Sequence, residues 1–270
     1  MKTAIILSGQ LRGFPLCYQS IIDNISSQFP NPDFFYYGPP EPDGKKVEDY
    51  LECKALYEPD DLEAAKGVHP AGIGGASAAA SKNNGHPEHE LVLHFALQWK
   101  NLMKAFELIP QGYYDLVVRL RPDTYSISPI DSESIINEVD DSSIHIPQFD
   151  AYNGVNDRFA VGTYEPMKVY CNLYKGLIGD DRYVSGGSED RLREHLKKNK
   201  IRLKYLNWCF CCRSKDGAFR GCPESYANLP MEEISRWESF KKDRYDRWVH
   251  GQGYYDELPE GVIADRHPNR

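Results

Sequence analysis

The chain has 270 residues, 41% of them hydrophobic and 27% charged, with a formal net charge of −8 and a pI near 5.5. That length can bury a sizeable core, as one large domain or as a domain with an appendage. The acidic balance speaks against a nucleic-acid partner, whose phosphates need a basic face, and no apolar run reaches the roughly 18 residues that span a bilayer.

In chain order, residues 3–7 (Thr-Ala-Ile-Ile-Leu) read as a buried strand, and Ser8-Gly9-Gln10-Leu11-Arg12-Gly13 as the turn after it. Pro15 to Gln28 suits a helix, with Leu16, Ile21, Ile22 and Ile25 near helical spacing and the proline in its first turn. Asp33–Tyr37 reads as a second strand, closed by Gly38-Pro39-Pro40. Strand, turn, helix and strand at this spacing make a βαβ unit, which requires parallel pairing. A short strand follows at Ala55–Tyr57. Residues 67–86, rich in Gly, Ala, Ser and Asn, have no hydrophobic period and suit a lid-like loop or a disordered stretch. Pro87 opens a long helix to Leu108, with Leu91, Phe95, Leu102 and Phe106 on its inner side. The run Leu116-Val117-Val118 is a buried strand that breaks into Arg119, Arg121, Pro122 and Asp123.

Further on, helices are expected over 131–139, 165–177 and 188–199, and strands over 143–146, 158–161 and 201–206. The fold class is therefore α/β, Rossmann-like, with a mostly parallel central sheet flanked by helices and a C-terminal helical extension. The division expected is a domain over 1–206, with residues 207–270 as an extension packed on the same body. The extension holds Cys209, Cys211, Cys212, Cys222 and a helix over 230–250. The C-x-C-C spacing departs from the paired C-x₂-C pattern of zinc sites, so these read as structural thiols. Seven cysteines cannot pair completely within one chain, and the opening stretch is too short in apolar residues for an export signal. Reduced thiols in a cytosolic compartment follow. His86 and His89 read as solvated.

Three clusters can carry chemistry. Alternate strand residues share a face, so Arg119 and Arg121 project together, while Pro122 ends the strand for lack of an amide hydrogen. Asp123 then sits at the sheet's carboxyl edge, where open α/β sheets bind ligands. A guanidinium fork suits phosphate oxygens, and a carboxylate suits a metal ion or a sugar hydroxyl. An internal Arg–Asp pair tying down the strand end accounts for the same residues. The Ser8–Gly13 turn precedes a helix, whose positive end and free amides favour an anion, although its spacing is neither a dinucleotide fingerprint nor a P-loop. A plain turn explains its glycines equally. Ser188 can cap the helix after Gly186-Gly187, placing Glu189 and Asp190 in the first turn, where either carboxylate can accept a proton or simply start a helix.

In matching order, the chain carries Ser8-Gly9-Gln10-Leu11-Arg12, Tyr114-Asp115-Leu116-Val117-Val118-Arg119-Leu120-Arg121-Pro122-Asp123, Asn156-Asp157-Arg158-Phe159-Ala160-Val161-Gly162 with Met167, Tyr170 and Tyr174, and Ser188-Glu189-Asp190-Arg191-Leu192 running to Leu196. These resemble the "SGQ-R", "YD-hydrophobic-R-x-RPD", "N-x-x-F-x-x-G" and acidic helix-start motifs of a group of bacterial and viral glycosyltransferases with the GT-A fold. The resemblance covers about the first 200 residues.

It implies a transferase moving a sugar from a UDP- or GDP-linked donor to a glycan or other hydroxyl acceptor, as in polysaccharide biosynthesis. Ser8, Gly9, Gln10, Arg12, Arg119, Arg121 and Asp123 would touch the donor and its diphosphate. Where GT-A enzymes usually carry Asp-x-Asp, this chain has arginine first, so a guanidinium can take over part of the neutralisation of the leaving group. Asp123 alone remains as a ligand for Mn²⁺ or Mg²⁺. Asp190, ahead of Glu189, would be the base that activates the acceptor. The reading in another class is a non-catalytic nucleotide-sugar or glycan-binding protein of the same fold. Neither reading needs nucleic acid or a transmembrane segment, and peripheral contact with a membrane stays open.

Overall fold

A computed structural model describes residues 1–68, 88–126, 129–147, 154–178, 188–206, 208, 210–213 and 219–220. The expected loop from residue 69 to 86, the helix over 230–250, His86, Cys209 and Cys222 lie outside the described residues.

The opening strand, β1 (Thr3–Ser8), is buried from Thr3 to Leu7 and lies inside a seven-stranded sheet. β2 (Pro32–Gly38) flanks it on one side, followed by β3 (Cys53–Tyr57); β4 (Leu116–Leu120) flanks it on the other. All four are mutually parallel, as the βαβ spacing requires. Beyond β4 come β7 (Phe159–Gly162), β6 (Ser143–Pro147) and β8 (Arg202–Leu206). β7 pairs antiparallel with both neighbours, and β6 with β8 is parallel again. The sheet is thus parallel apart from one reversed strand, the mostly parallel architecture expected.

Period-two alternation decides which layer each side chain joins. Ala4, Ile6 and Val117 face a core built with α2 (Glu88–Glu107), α4 (Tyr164–Cys171), α5 (Leu173–Leu177) and α6 (Ser188–Lys198). Ile5, Leu7 and Val118 face the opposite core with α1 (Phe14–Asn24) and α3 (Ser132–Glu138). α1 turns Phe14, Cys17 and Ile21 inward, leaving Leu16 at 42% exposure, so the thiol and not the leucine fills that core position. It also stops at Asn24, short of Gln28, because the Ser27 hydroxyl donates to the Asp23 carbonyl and the chain tightens into a 3₁₀ turn over Ser26–Gln28. The helix expected over 165–177 divides at Asn172, whose side-chain amide donates to the Lys168 carbonyl (2.7 Å).

A second, three-stranded sheet has no counterpart in the sequence expectations. β5 (Thr124–Ser126) pairs antiparallel with β9 (Phe210–Arg213), and β9 with β10 (Phe219–Arg220). Cys211 and Cys212 are buried on β9, as are Cys17 and Cys171 on their helices. Among the described residues no helix is long and apolar enough to cross a membrane.

Candidate functional site

β1 and β4 end side by side at their carboxyl edge, and the chain leaves them as the Ser8–Gly13 turn and the Arg121–Asp123 turn. Between these turns and α2 lies a cavity of about 410 Å³, whose lining includes Ser8, Gly9, Gln10, Arg12, Arg119, Arg121 and Asp123. The structure therefore brings together every residue expected to meet a donor.

The first turn is anchored from β2. The Gly9 amide donates to the Tyr37 carbonyl (2.9 Å) and the Tyr36 hydroxyl donates to the Gly9 carbonyl (2.7 Å), with Gly9 at φ +91°, a conformation that favours glycine. The helix amides after it are spent internally. The Leu11 amide donates to the Glu41 carboxylate (2.6 Å), the Phe14 amide to the Leu11 carbonyl, and the Leu16 amide to the Gly13 carbonyl, while Pro15 has none. Anion binding in this turn falls to side chains, chiefly the exposed Arg12, whose Nε donates to the Gln10 side-chain carbonyl (2.8 Å).

Arg121 and Asp123 form a two-pronged pair: Nε donates to Oδ1 (2.9 Å) and Nη2 to Oδ2 (2.7 Å). The internal pair and the cleft lining are thus both present in the same residues. Asp123 pushes the Arg121 guanidinium further up, against the opposing effect of burial. Burial acts to raise the Asp123 carboxyl, but Arg121, Arg158 and Arg12 outweigh it and hold Asp123 ionised. The Asp123 carbonyl also accepts the Arg213 amide (2.8 Å) and the Cys17 thiol (3.4 Å), which ties the turn to β9 and α1.

Behind this wall Arg119 is 1% exposed, and its Nε and Nη1 have no hydrogen-bond partner among the described residues. Burial pulls this guanidinium down, and the opposing electrostatic compensation comes from Tyr170 and from Asp157, a buried carboxylate whose motif was legible in the sequence but whose role was not. Burial pushes Asp157 upward, and Arg158, Arg119, the Ser188 hydroxyl and Arg121 together overcome it, keeping Asp157 ionised. Asp157 accepts from Gln98 Nε2 (2.7 Å) and from the Ser188 hydroxyl (2.6 Å), which itself accepts from Trp99 Nε1 (3.1 Å). Ser188 therefore bridges Trp99 and Asp157, a different use of the hydroxyl from the helix cap expected. Gln98 and Trp99 sit in the middle of α2, where only apolar spacing was legible.

Glu189 and Asp190 open α6 but stand outside the lining of the cavity. Burial, then the charge of Asp157, pushes the Glu189 carboxyl up to about 8. Asp190 lies 3.8 Å from Arg193, one turn along the helix. Gly154 fixes this helix start, since a Cβ there would come within 2.0 Å of the Glu189 carbonyl carbon, and the next amide, Val155, donates to the Glu189 carbonyl (3.1 Å). Gly154→Ala should therefore displace the start of α6 and destabilise the protein by about 1–3 kcal/mol, the usual cost of overpacking, read as a lower urea midpoint.

The described residues do not present a divalent-metal site. Both Asp123 oxygens are taken by Arg121, and among the described residues no group of three His, Cys, Asp or Glu side chains converges.

Residues 1–238 match the model of a family described as a domain of unknown function, DUF7796. The chain belongs to the DUF7796 family. No curated protein matches its sequence. Among solved structures, this DUF7796 chain is similar to mouse xyloside xylosyltransferase 1 in its apo form, at 11% identity and a TM-score of 0.42, over 76% of this chain and 84% of that one.

Proposed function

We propose that the chain is a glycosyltransferase that binds a nucleotide-sugar donor, UDP- or GDP-linked, in this cleft and passes the sugar to a hydroxyl acceptor such as a glycan. The observation that carries the reading is the convergence of Arg12, Arg119 and Arg121 with the Ser8–Gln10 turn on one cavity at the carboxyl edge of β1 and β4. The motifs that carry the resemblance to GT-A enzymes contribute those same residues.

Transfer breaks the bond from the sugar's anomeric carbon to the diphosphate and forms one to the acceptor oxygen. The diphosphate leaves with both electrons of the broken bond, and the acceptor hydroxyl loses its proton. Arg12 and the outward nitrogens of Arg121 neutralise the departing charge, with Asp123 holding the Arg121 fork in place. Arg119 adds a fixed positive charge below them. The arginines occupy the place in which other enzymes use a cation, and no step here depends on one.

Neither candidate base, Asp190 or Glu189, lines the donor cavity; of the two, Glu189 has the raised proton affinity that a base working near neutral pH needs, provided the acceptor hydroxyl reaches it beyond that lining. At pH 7 it is mostly protonated and it ionises near pH 8. Turnover should then climb by about tenfold per pH unit below about 8 and level off above it, and Glu189→Gln should abolish that limb. The sign for stability is opposite. A carboxyl held above its ordinary value of 4.5 stabilises the fold in its protonated form, so unfolding free energy falls as pH rises from about 4.5 to about 8, and Glu189→Gln removes the fall. A pH series of urea unfolding curves measures it.

The deciding experiment is release of UDP or GDP from a panel of nucleotide sugars, with and without a glycan acceptor. Acceptor-dependent release supports transfer. Tight binding with no release supports the binding-protein reading, and no binding of any donor removes both.

A further inference from the structure

α2 turns mostly apolar residues to the sheet, but three polar ones, His94, Gln98 and Asn101, recur at i, i+4 and i+7, so they share one face of the helix, and all three line the cavity. Asn101 is 7% exposed and makes no hydrogen bond among the described residues. With no protein partner among the described residues, the Asn101 amide opens to the cavity, where it is available to a ligand that exchanges hydrogen bonds with it.

Gln98 points to what that partner is. Its amide nitrogen donates to Asp157, a carboxylate kept ionised by three arginines and therefore able only to accept. The orientation of the Gln98 amide is fixed by this bond, and the group left over is its carbonyl oxygen, which has no partner among the described residues. Leu93 and Leu97 border the stripe with apolar surface, and Asp60 adds a negative charge at the rim. The α2 wall thus offers acceptors, the Asn101 amide, the His94 ring and an apolar strip, and no lysine or arginine. Hydroxyl groups, which both donate and accept, satisfy such a wall; a carboxylate, which only accepts, would be repelled by the Gln98 oxygen and Asp60 and would find donors only in the Asn101 amide and the His94 ring.

Resting on the nucleotide-sugar reading of the opposite wall, we propose that the His94–Gln98–Asn101 stripe of α2 is a sugar-reading surface that selects an uncharged, hydroxyl-bearing ring and rejects an acidic one. Gln98 and Asn101 determine specificity, and Asp157 is a positioning residue acting through Gln98. The cleft is then divided by chemistry, with charge read from the strand ends and hydroxyls read from the helix.

The test is calorimetry on the full chain with UDP, GDP, UDP-glucose, GDP-mannose and UDP-glucuronate, repeated on Asn101→Leu and Gln98→Met. The wild type should bind a neutral-sugar conjugate about tenfold or more tighter than its free nucleotide and gain nothing from glucuronate. Both variants should lose the gain and keep the nucleotide affinity. Asn101→Leu forfeits no hydrogen bond, so its melting temperature should equal or exceed that of the wild type, which separates lost recognition from lost folding. A gain that survives both substitutions, or one that is as large for glucuronate, overturns the proposal. Should neither nucleotide bind, the nucleotide reading falls, and methyl glucoside and methyl glucuronide at millimolar concentration decide the wall by themselves. A rise in melting temperature with the neutral glycoside alone, absent in Asn101→Leu, upholds it; any other pattern ends it.

Discussion

Arg121→Ala should lower donor turnover by about 10²- to 10³-fold, the usual cost of removing a preorganised group that meets charge developing in the transition state. Arg121 qualifies because its orientation is settled before any ligand arrives: Asp123 holds two of its nitrogens at 2.9 and 2.7 Å. The substitution also leaves the Asp123 carboxylate without its main partner, so stability must be followed alongside activity. Arg121→Lys separates the two effects, since it keeps a positive charge near Asp123 but gives up the planar fork. Turnover in a folded Lys variant should still fall, by about tenfold or more. Steady-state kinetics at a temperature well below each variant's melting point makes the measurement, and wild-type turnover in either variant removes Arg121 from the site.

Asp157→Ala should lower unfolding free energy by about 3–5 kcal/mol, the range for deleting one partner of a buried charge set. Three consequences add in the same direction. Arg119, 1% exposed and already short of hydrogen bonds, loses its compensating charge; the Gln98 amide and the Ser188 hydroxyl both lose their acceptor. Asp157→Asn keeps the shape and an acceptor oxygen, so it isolates the charge and should cost less. Both variants relieve the repulsion on Glu189, so the pH at which turnover levels off should shift below about 8. Chemical denaturation and a pH–rate profile on the Asn variant read the two effects separately.

The sequence revealed most clearly what apolar runs dictate. Ala4–Leu7, Phe34–Tyr37 and Leu116–Val118 are strands because nothing else buries them so completely, and the spacing of the first two around Pro15 required parallel pairing. The two arginines after Val118 pointed to a ligand edge because charge at the end of a buried strand needs a reason. β5 was illegible because Thr124-Tyr125-Ser126 is three residues long and half polar; its partner lies far along the chain, so no local signal specifies it. Gln98 and Asn101 were hidden inside a convincing helix. An amphipathic pattern says which face is inward, but a polar residue on that face looks like a blemish until a cavity is found beside it. Asp157 had the weakest signal of all. Its role depends on Gln98, Arg119 and Ser188, which come from three different segments and meet only once the layers have closed.

The pairing of Thr124 with Cys212 and the bond from the Arg213 amide to the Asp123 carbonyl also bear on how the protein is born. Chains emerge from the ribosome N-terminus first. The strands that carry the arginines can therefore assemble well before the segment that buttresses the Arg121–Asp123 turn has been synthesised. On the proposed function, ligand affinity would be a late acquisition of biogenesis, and a nascent chain stopped short of Phe210 would own the arginines without the brace that holds their turn.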